Sequence, residues 1–211
     1  MDTNATDQLL TTTRAVRRRL DLERPVPREL VEECLRIAIQ APTGGNSQGW
    51  RWIVVTDPEV RRKLADFYRS QAGVLERMLK LAKDNGDKPT ERVYQSAIDF
   101  SKVLHEVPVF LIPCIQGRVN NASNPEVAGL YGSIMPAVWN FMLAARSRGL
   151  GTVWTSIHLA KEKEAAELLG IPDDFVQVAL IPIAYTKGTD FKPAKRTPME
   201  DVTFWDHWGN D

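Results

Sequence analysis

Cysteine and histidine are scarce in this chain: Cys34 and Cys114 are its only thiols and His105, His158 and His207 its only imidazoles among 211 residues. Both cysteines lie in apolar surroundings and neither stands at metal-ligand spacing from a histidine, so they read as buried structural thiols of a reducing compartment, with no metal site. No Ser/His/Asp or Cys/His constellation is recognisable, which leaves no candidate catalytic nucleophile. Charge of one sign is missing as well, because 27 basic residues balance 27 acidic ones. Nothing in that total favours a nucleic acid or an acidic membrane surface as partner. The polar start Met1–Asp7 lacks the profile of a signal peptide, and no apolar run reaches the roughly 18 residues of a membrane span. A cytoplasmic protein is expected. No G-x-G-x-x-G follows a strand, so a dinucleotide site of the Rossmann type is not supported. Internal repeats and low-complexity segments are absent too.

With 43% hydrophobic and 26% charged residues, the chain is expected to form one domain over residues 1–211. Pro25-Val26-Pro27 opens a helix to about Gln40, which Pro42 ends. Trp52–Thr56 reads as a strand, residues 60–82 as helix, and Thr90 to His105 as helix after the breaker cluster Asp84–Pro89. Val107–Ile115 reads as a strand buried on both faces except where Pro108 and Pro113 remove donors. Asn120–Pro125 reads as a loop and a candidate mobile flap. From Ser133 to Arg148 apolar residues occupy every face, so that helix must be covered all round, within the domain or between subunits. Pro136 either lies in its first turn or interrupts a longer helix begun near Glu126. Gly149-Leu150-Gly151 stops it before a strand Thr152–Thr155; Lys161–Leu169 is a short helix and Val176–Tyr185 the last strand. Helices and strands mix without βαβ alternation, which gives an α+β class.

Four segments carry chemistry. Arg14, Arg17, Arg18 and Arg19 form a basic cluster able to grip a phosphate bidentately or to sit beside a flavin's pyrimidine edge, where charge accumulates on reduction. A solvated basic face is the plain alternative. Ala41-Pro42-Thr43-Gly44-Gly45-Asn46-Ser47-Gln48-Gly49-Trp50 offers close backbone approach together with amides and hydroxyls suited to a heteroaromatic ring. Gly149–Ser156 is a helix stop and strand, and Lys195-Arg196 precede Pro198-Met199-Glu200-Asp201-Val202. The closing Phe204–Trp208 segment holds too many aromatics to be left in water and suits packing on a partner subunit.

In this order and spacing the segments resemble the nitroreductase family of FMN-dependent oxidoreductases, whose N-terminal part reads R-R-S-x-R, then a helix, then A-P-S-x-x-N-x-Q-P-W. Arg14 falls on the second basic position and Arg17 on the last, with Thr13 in place of the first Arg and Ala15 in place of Ser. Asn46, Gln48 and Trp50 match, and Gly49 stands where Pro is usual. Asn140–Thr152 is similar to N-L-x-L-A-A-x-x-x-G-L-G-T, and Lys195-Arg196 with the segment after them to K/R-x-x-P-L-E-E-V. The resemblance implies a mixed sheet flanked by helices in an intertwined homodimer with FMN at the subunit interface. It implies FMN contacts from Arg14, Ala15, Arg17, Arg18, Pro42, Thr43, Gly44, Asn46, Gln48, Thr155, Ser156, Lys195 and Arg196. It also implies hydride transfer from NAD(P)H through FMN to a nitroaromatic or quinone by ping-pong kinetics. The Thr13 and Ala15 departures keep a non-catalytic flavin-binding or storage protein of the same fold as the alternative.

Overall fold

A computed structural model describes residues 2–209 of the chain. Its elements in order are α1 (Thr3–Thr12), β1 (Leu20–Asp21), α2 (Arg28–Ala38), β2 (Trp50–Val55), α3 (Pro58–Arg69), α4 (Ala72–Asp84), α5 (Lys88–Val103), β3 (Val109–Gln116), α6 (Asn124–Ser147), β4 (Leu150–Thr152), α7 (Glu162–Leu169), β5 (Phe175–Gln177) and β6 (Ile181–Thr186). The sheet runs β1-β6-β3-β2, with β4 also paired to β6 and β5 to β3. The α+β class with flanking helices stands. Every strand pairing among the described residues is antiparallel, where a mixed sheet was expected. With no βαβ crossover among the described residues, nothing requires parallel neighbours.

Two apolar layers sandwich the sheet. One joins α2 and α6 to the sheet through Val31, Cys34, Leu111, Ile134, Phe141 and Ile183. The other packs α3, α5 and α7 through Leu64, Tyr68, Phe100, Phe110, Ala165 and Leu180. β3 lies between them with seven consecutive buried residues, which accounts for its near-continuous apolar run.

Several boundaries differ from the expected ones for identifiable reasons. Residues 60–82 are two helices, parted at Ser70–Gln71. The inward residues Leu64, Tyr68, Leu75, Leu79 and Ala82 keep helical phase across that break, so the pattern conceals it. Val176–Tyr185 is split into β5 and β6 opposite Pro113, whose carbonyl accepts from the Val178 N–H at 2.9 Å. The proline nitrogen faces the same side and has no proton to donate, so the ladder lapses there. The strand expected over Thr152–Thr155 is Leu150–Thr152 followed by an isolated bridge from Thr155 to Leu180.

The Asn120–Pro125 loop gives way to helix at Asn124, where the Glu126 carboxylate accepts from the Ser123 N–H and hydroxyl at 2.7 Å each. Pro136 therefore lies inside a 24-residue helix. That helix has the length and mean hydropathy of a membrane span although polar residues interrupt its apolar stretches, but its inner face packs into the core as in a buried helix. Within one chain it is not covered all round: Met135 and Trp139 are 43% and 39% exposed. Helix α1 and the two-residue β1 were not anticipated, the first being a polar sequence capped by the Asp2 carboxylate.

Candidate functional site

The basic cluster is shaped by two apolar anchors. Val16 and Leu20 are buried, and the Val16 N–H donates to the Thr152 carbonyl at 2.9 Å, stitching the segment to β4. Gly151 makes this possible, since a Cβ there would lie 2.7 Å from Thr186 Cγ2, 2.9 Å from Leu20 Cδ2 and 3.0 Å from Val16 Cγ1. The residues between the anchors are thereby turned toward a recess of about 410 Å³ lined by Arg14–Arg19, Ser96 and Asp190–Lys192. The lining residues carry four guanidinium groups and one ammonium against one carboxylate, with Asp99 on Arg18 outside the lining, so the recess has a net positive charge.

Three of the arginines are engaged. Arg14 Nη1 donates to the Lys192 carbonyl at 3.0 Å, Arg18 Nη2 pairs with Asp99 at 3.0 Å, and Arg19 Nη2 pairs with Asp190 at 2.7 Å. Asp99 also accepts from Gln95, and these two partners hold its carboxyl below the ordinary range. Arg17 differs: its half-buried guanidinium has no side-chain hydrogen bond or ion pair among the described residues. Burial pushes its pKa down, opposed only by the neighbouring Tyr68 hydroxyl. A desolvated cation without a counter-charge is costly unless an anion joins it.

The Gly-rich segment forms a second feature. Gly45, Asn46 and Gln48 all have positive φ, at 58°, 54° and 46°, and two of these are not glycine. Such left-handed side-chain residues are strained and persist only where their surroundings hold them. Here Ser133 on α6 accepts from the Gly44 N–H at 3.0 Å while donating to the Gly129 carbonyl, and Gln48 Nε2 donates to Asn46 Oδ1 at 3.0 Å. Pro42, Asn46 and Gln48 are exposed; the Thr43 hydroxyl is buried with no partner. Gly44, Ser47 and Gly49 line a recess of about 550 Å³ with Gln116–Val119, Gly129 and Ser133. No residue is common to this lining and that of the basic recess, so one chain does not bring the two features together.

The remaining expected residues are placed as follows. Thr155 is buried and its hydroxyl donates to the Leu180 carbonyl at 2.7 Å, which commits it to the sheet, while Ser156 is exposed. Lys195 and Arg196 are exposed and lie outside the basic lining, to which the C-terminal region contributes Lys192 instead. Ala15 lines the basic recess. Lys192, Ser96, Asp99 and Phe191 escaped the sequence reading because no spacing ties them to Arg14–Arg19; only the fold makes them neighbours. Two residues beyond Ser156, His158 is fully buried beside Gln177, and burial lowers its pKa to about 4.

Residues 10–185 match the family model described as the nitroreductase family. The chain is 31% identical over 170 residues to the 5,6-dimethylbenzimidazole synthase of Rhodospirillum rubrum, covering 77% of this chain and 74% of that one. It is 28% identical over 194 residues to an NADH dehydrogenase of Thermus thermophilus, covering 86% and 87%. Among solved structures it is similar to oxidised iodotyrosine deiodinase bound to FMN and 3-iodo-L-tyrosine, with a TM-score of 0.63, 22% identity, and coverage of 90% of this chain and 93% of that one.

Proposed function

The chain belongs to the nitroreductase family, and on that premise we propose that it is an FMN-dependent oxidoreductase passing hydride from NAD(P)H to an electron-poor acceptor such as a nitroaromatic or quinone. One observation carries the reading: Arg17 presents a half-buried guanidinium, with no counter-charge on it among the described residues, to a recess whose lining has five cations and one carboxylate. That donor set fits a phosphomonoester and the electron-rich edge of a flavin. Bound FMN supplies the two-electron chemistry. The chain's own part is electrostatic and positional: Arg14, Arg18 and Lys192 hold the phosphate end, with the Ala15 backbone beside them, and Arg17 meets the pyrimidine edge of the ring. Fixed positive charge at Arg17 favours added negative charge nearby.

The strained turn Thr43–Gln48, with its orphaned Thr43 hydroxyl, suits the ring end of the same cofactor. Because it opens on a separate recess, we propose that a second copy supplies it, which makes the functional unit a homodimer. The exposed Met135 and Trp139 on α6 and Ile37 and Ile39 at the end of α2, a helix packed against it, give that contact an apolar face. The tail exposes Met199, Val202, Trp205 and Trp208 at every third residue, a stripe suited to the partner's surface. Each chain acts as one FMN-binding unit of the cytoplasm.

Nicotinamide and acceptor take turns over one cofactor face, which predicts ping-pong kinetics. Anaerobic NADH or NADPH should bleach the yellow holoprotein and a quinone should restore the colour, with parallel double-reciprocal lines. A yellow protein that neither nicotinamide bleaches would be a flavin-binding or storage protein. The 31% identity to a 5,6-dimethylbenzimidazole synthase favours one further reading, formation of that product. Chromatography of the reaction mixture for 5,6-dimethylbenzimidazole decides it.

A further inference from the structure

Six residues between β6 and the tail, Lys187–Lys192, are fastened at nearly every position. The Lys187 N–H donates to the Arg19 carbonyl at 2.7 Å, and Arg19 Nε donates back to the Lys187 carbonyl at 2.8 Å. Gly188 has φ +81°, a conformation that favours glycine, and the Arg19 guanidinium lies against it, with Nη2 2.5 Å from where a Cβ would stand. Arg146, at the end of α6, donates from Nη2 to the Thr189 carbonyl at 3.1 Å. Asp190 takes the Arg19 ion pair, and Arg14 Nη1 holds the Lys192 carbonyl.

The centre of this strap is Phe191. Its ring has a guanidinium on it from Arg19, with Cζ 4.3 Å from the centroid, and another from Arg146, with Cζ 4.6 Å away. Two cations drawn to one aromatic ring repel each other, and the negative ring face is what makes that approach tolerable. Arg146 sacrifices solvation for it, since its Nε is buried without a hydrogen-bond partner. That cost is not recovered at the basic recess, whose lining does not include Arg146. The side-chain hydrogen bond and the ring contact of Arg146 both go to the strap, though Arg146 also lines a separate recess beside α1, and the strap ends on Lys192, which lines the basic recess and gives its carbonyl to Arg14.

We propose that Arg146 and Phe191 are positioning residues that hold Lys192 as a phosphate-binding cation of the basic recess, so that the end of α6 sets how strongly a phosphorylated flavin is preferred over its unphosphorylated form. The inference rests on the cofactor reading above and deepens it. Arg146 lies outside the lining of the recess and Phe191 within it; both act by holding Lys192 in place.

The test compares FMN and riboflavin, which share the ring and differ in the phosphate, titrated against the full-length protein stripped of flavin, with affinity read from quenching of flavin fluorescence. Lys192→Met should reduce the preference for FMN by about tenfold, the order of one charge-assisted contact, and leave riboflavin affinity unchanged. Arg146→Met and Phe191→Leu should lower the preference by a similar factor, Phe191→Tyr should preserve it, and Lys192→Met with Arg146→Met should lose no more than Lys192→Met alone. A merely structural role would weaken both flavins in parallel. If Arg146→Met and Phe191→Leu leave the preference intact, weaken both ligands equally, or add to Lys192→Met, the inference is overturned while the cofactor assignment stands. If the unmodified protein binds FMN no better than riboflavin, the cofactor reading falls and this inference falls with it.

Discussion

Replacing Gly151 by alanine probes the contact that aims the arginine cluster. The added methyl would sit 2.7 Å from Thr186 Cγ2, 2.9 Å from Leu20 Cδ2 and 3.0 Å from Val16 Cγ1. Carbon atoms in ordinary contact are roughly 3.5–4.0 Å apart, so each neighbour must retreat by about half an ångström or more. Thr186 is half-buried and can yield, whereas Val16 and Leu20 are 4% and 3% exposed and can yield only by moving their backbone off β4 and β6 respectively. Overpacking of this kind costs about 1–3 kcal/mol. For a chain of this size each kcal/mol lowers the melting temperature by roughly 2–4 °C, so Gly151→Ala should melt about 2–12 °C lower. The displaced segment carries Arg17, so FMN affinity should fall as well. Thermal unfolding followed by circular dichroism and flavin titration measure the two effects. Adding Thr186→Ser removes the nearest clash while keeping a hydroxyl for the Gly149 carbonyl, and should restore part of the stability. An alanine variant with unchanged melting and unchanged affinity would refute the argument that this glycine sets the approach of the cluster to the sheet.

Arg17→Ala should weaken FMN binding and lower the flavin's reduction potential, with Arg17→Lys intermediate because an ammonium keeps the charge but not the planar fork; normal affinity and potential in the alanine variant would remove Arg17 from the site. His158 is held neutral, with its pKa down from 6.5 to about 4, so the unfolded chain binds the proton first as the pH falls. Stability should therefore drop between about pH 6.5 and pH 4, by up to about 3 kcal/mol, and level off below, and His158→Leu should flatten urea-unfolding free energies over that window. Burial raises the thiol pKa values of Cys34 and Cys114 to about 11 and about 12, so both should resist a disulfide reagent at pH 8 until the chain is unfolded; rapid native labelling would contradict their burial. Met135→Glu with Trp139→Arg should yield a monomer by sedimentation with impaired FMN retention, and a dimer of normal affinity would place the interface elsewhere.

Local order was legible wherever one element decides its own conformation. Helix α2 was set by Pro27 and its apolar spacing, α7 by Gly170 at its left-handed end, and β3 by an apolar run that only a doubly covered strand supports. The cluster Arg14, Arg17 and Arg18 and the turn at Gly44–Asn46 were visible as residue types suited to anions and close backbone approach. What the sequence could not convey was which distant residues meet them. The break at Ser70 is hidden because helical phase continues through it, and the gap between β5 and β6 arises from a proline on another strand. Lys192 lines the basic recess, and Lys195 and Arg196 do not; next to it Phe191 meets Arg19 and Arg146, residues 172 and 45 positions before it. Arg17 looks like its neighbours in the sequence and became distinct only when Asp99 and Asp190 claimed Arg18 and Arg19 and left it without a counter-charge among the described residues. Residue type and spacing thus determined what chemistry the chain can offer; burial and long-range pairing, which depend on every layer packed around the sheet, decided which groups remain free to offer it.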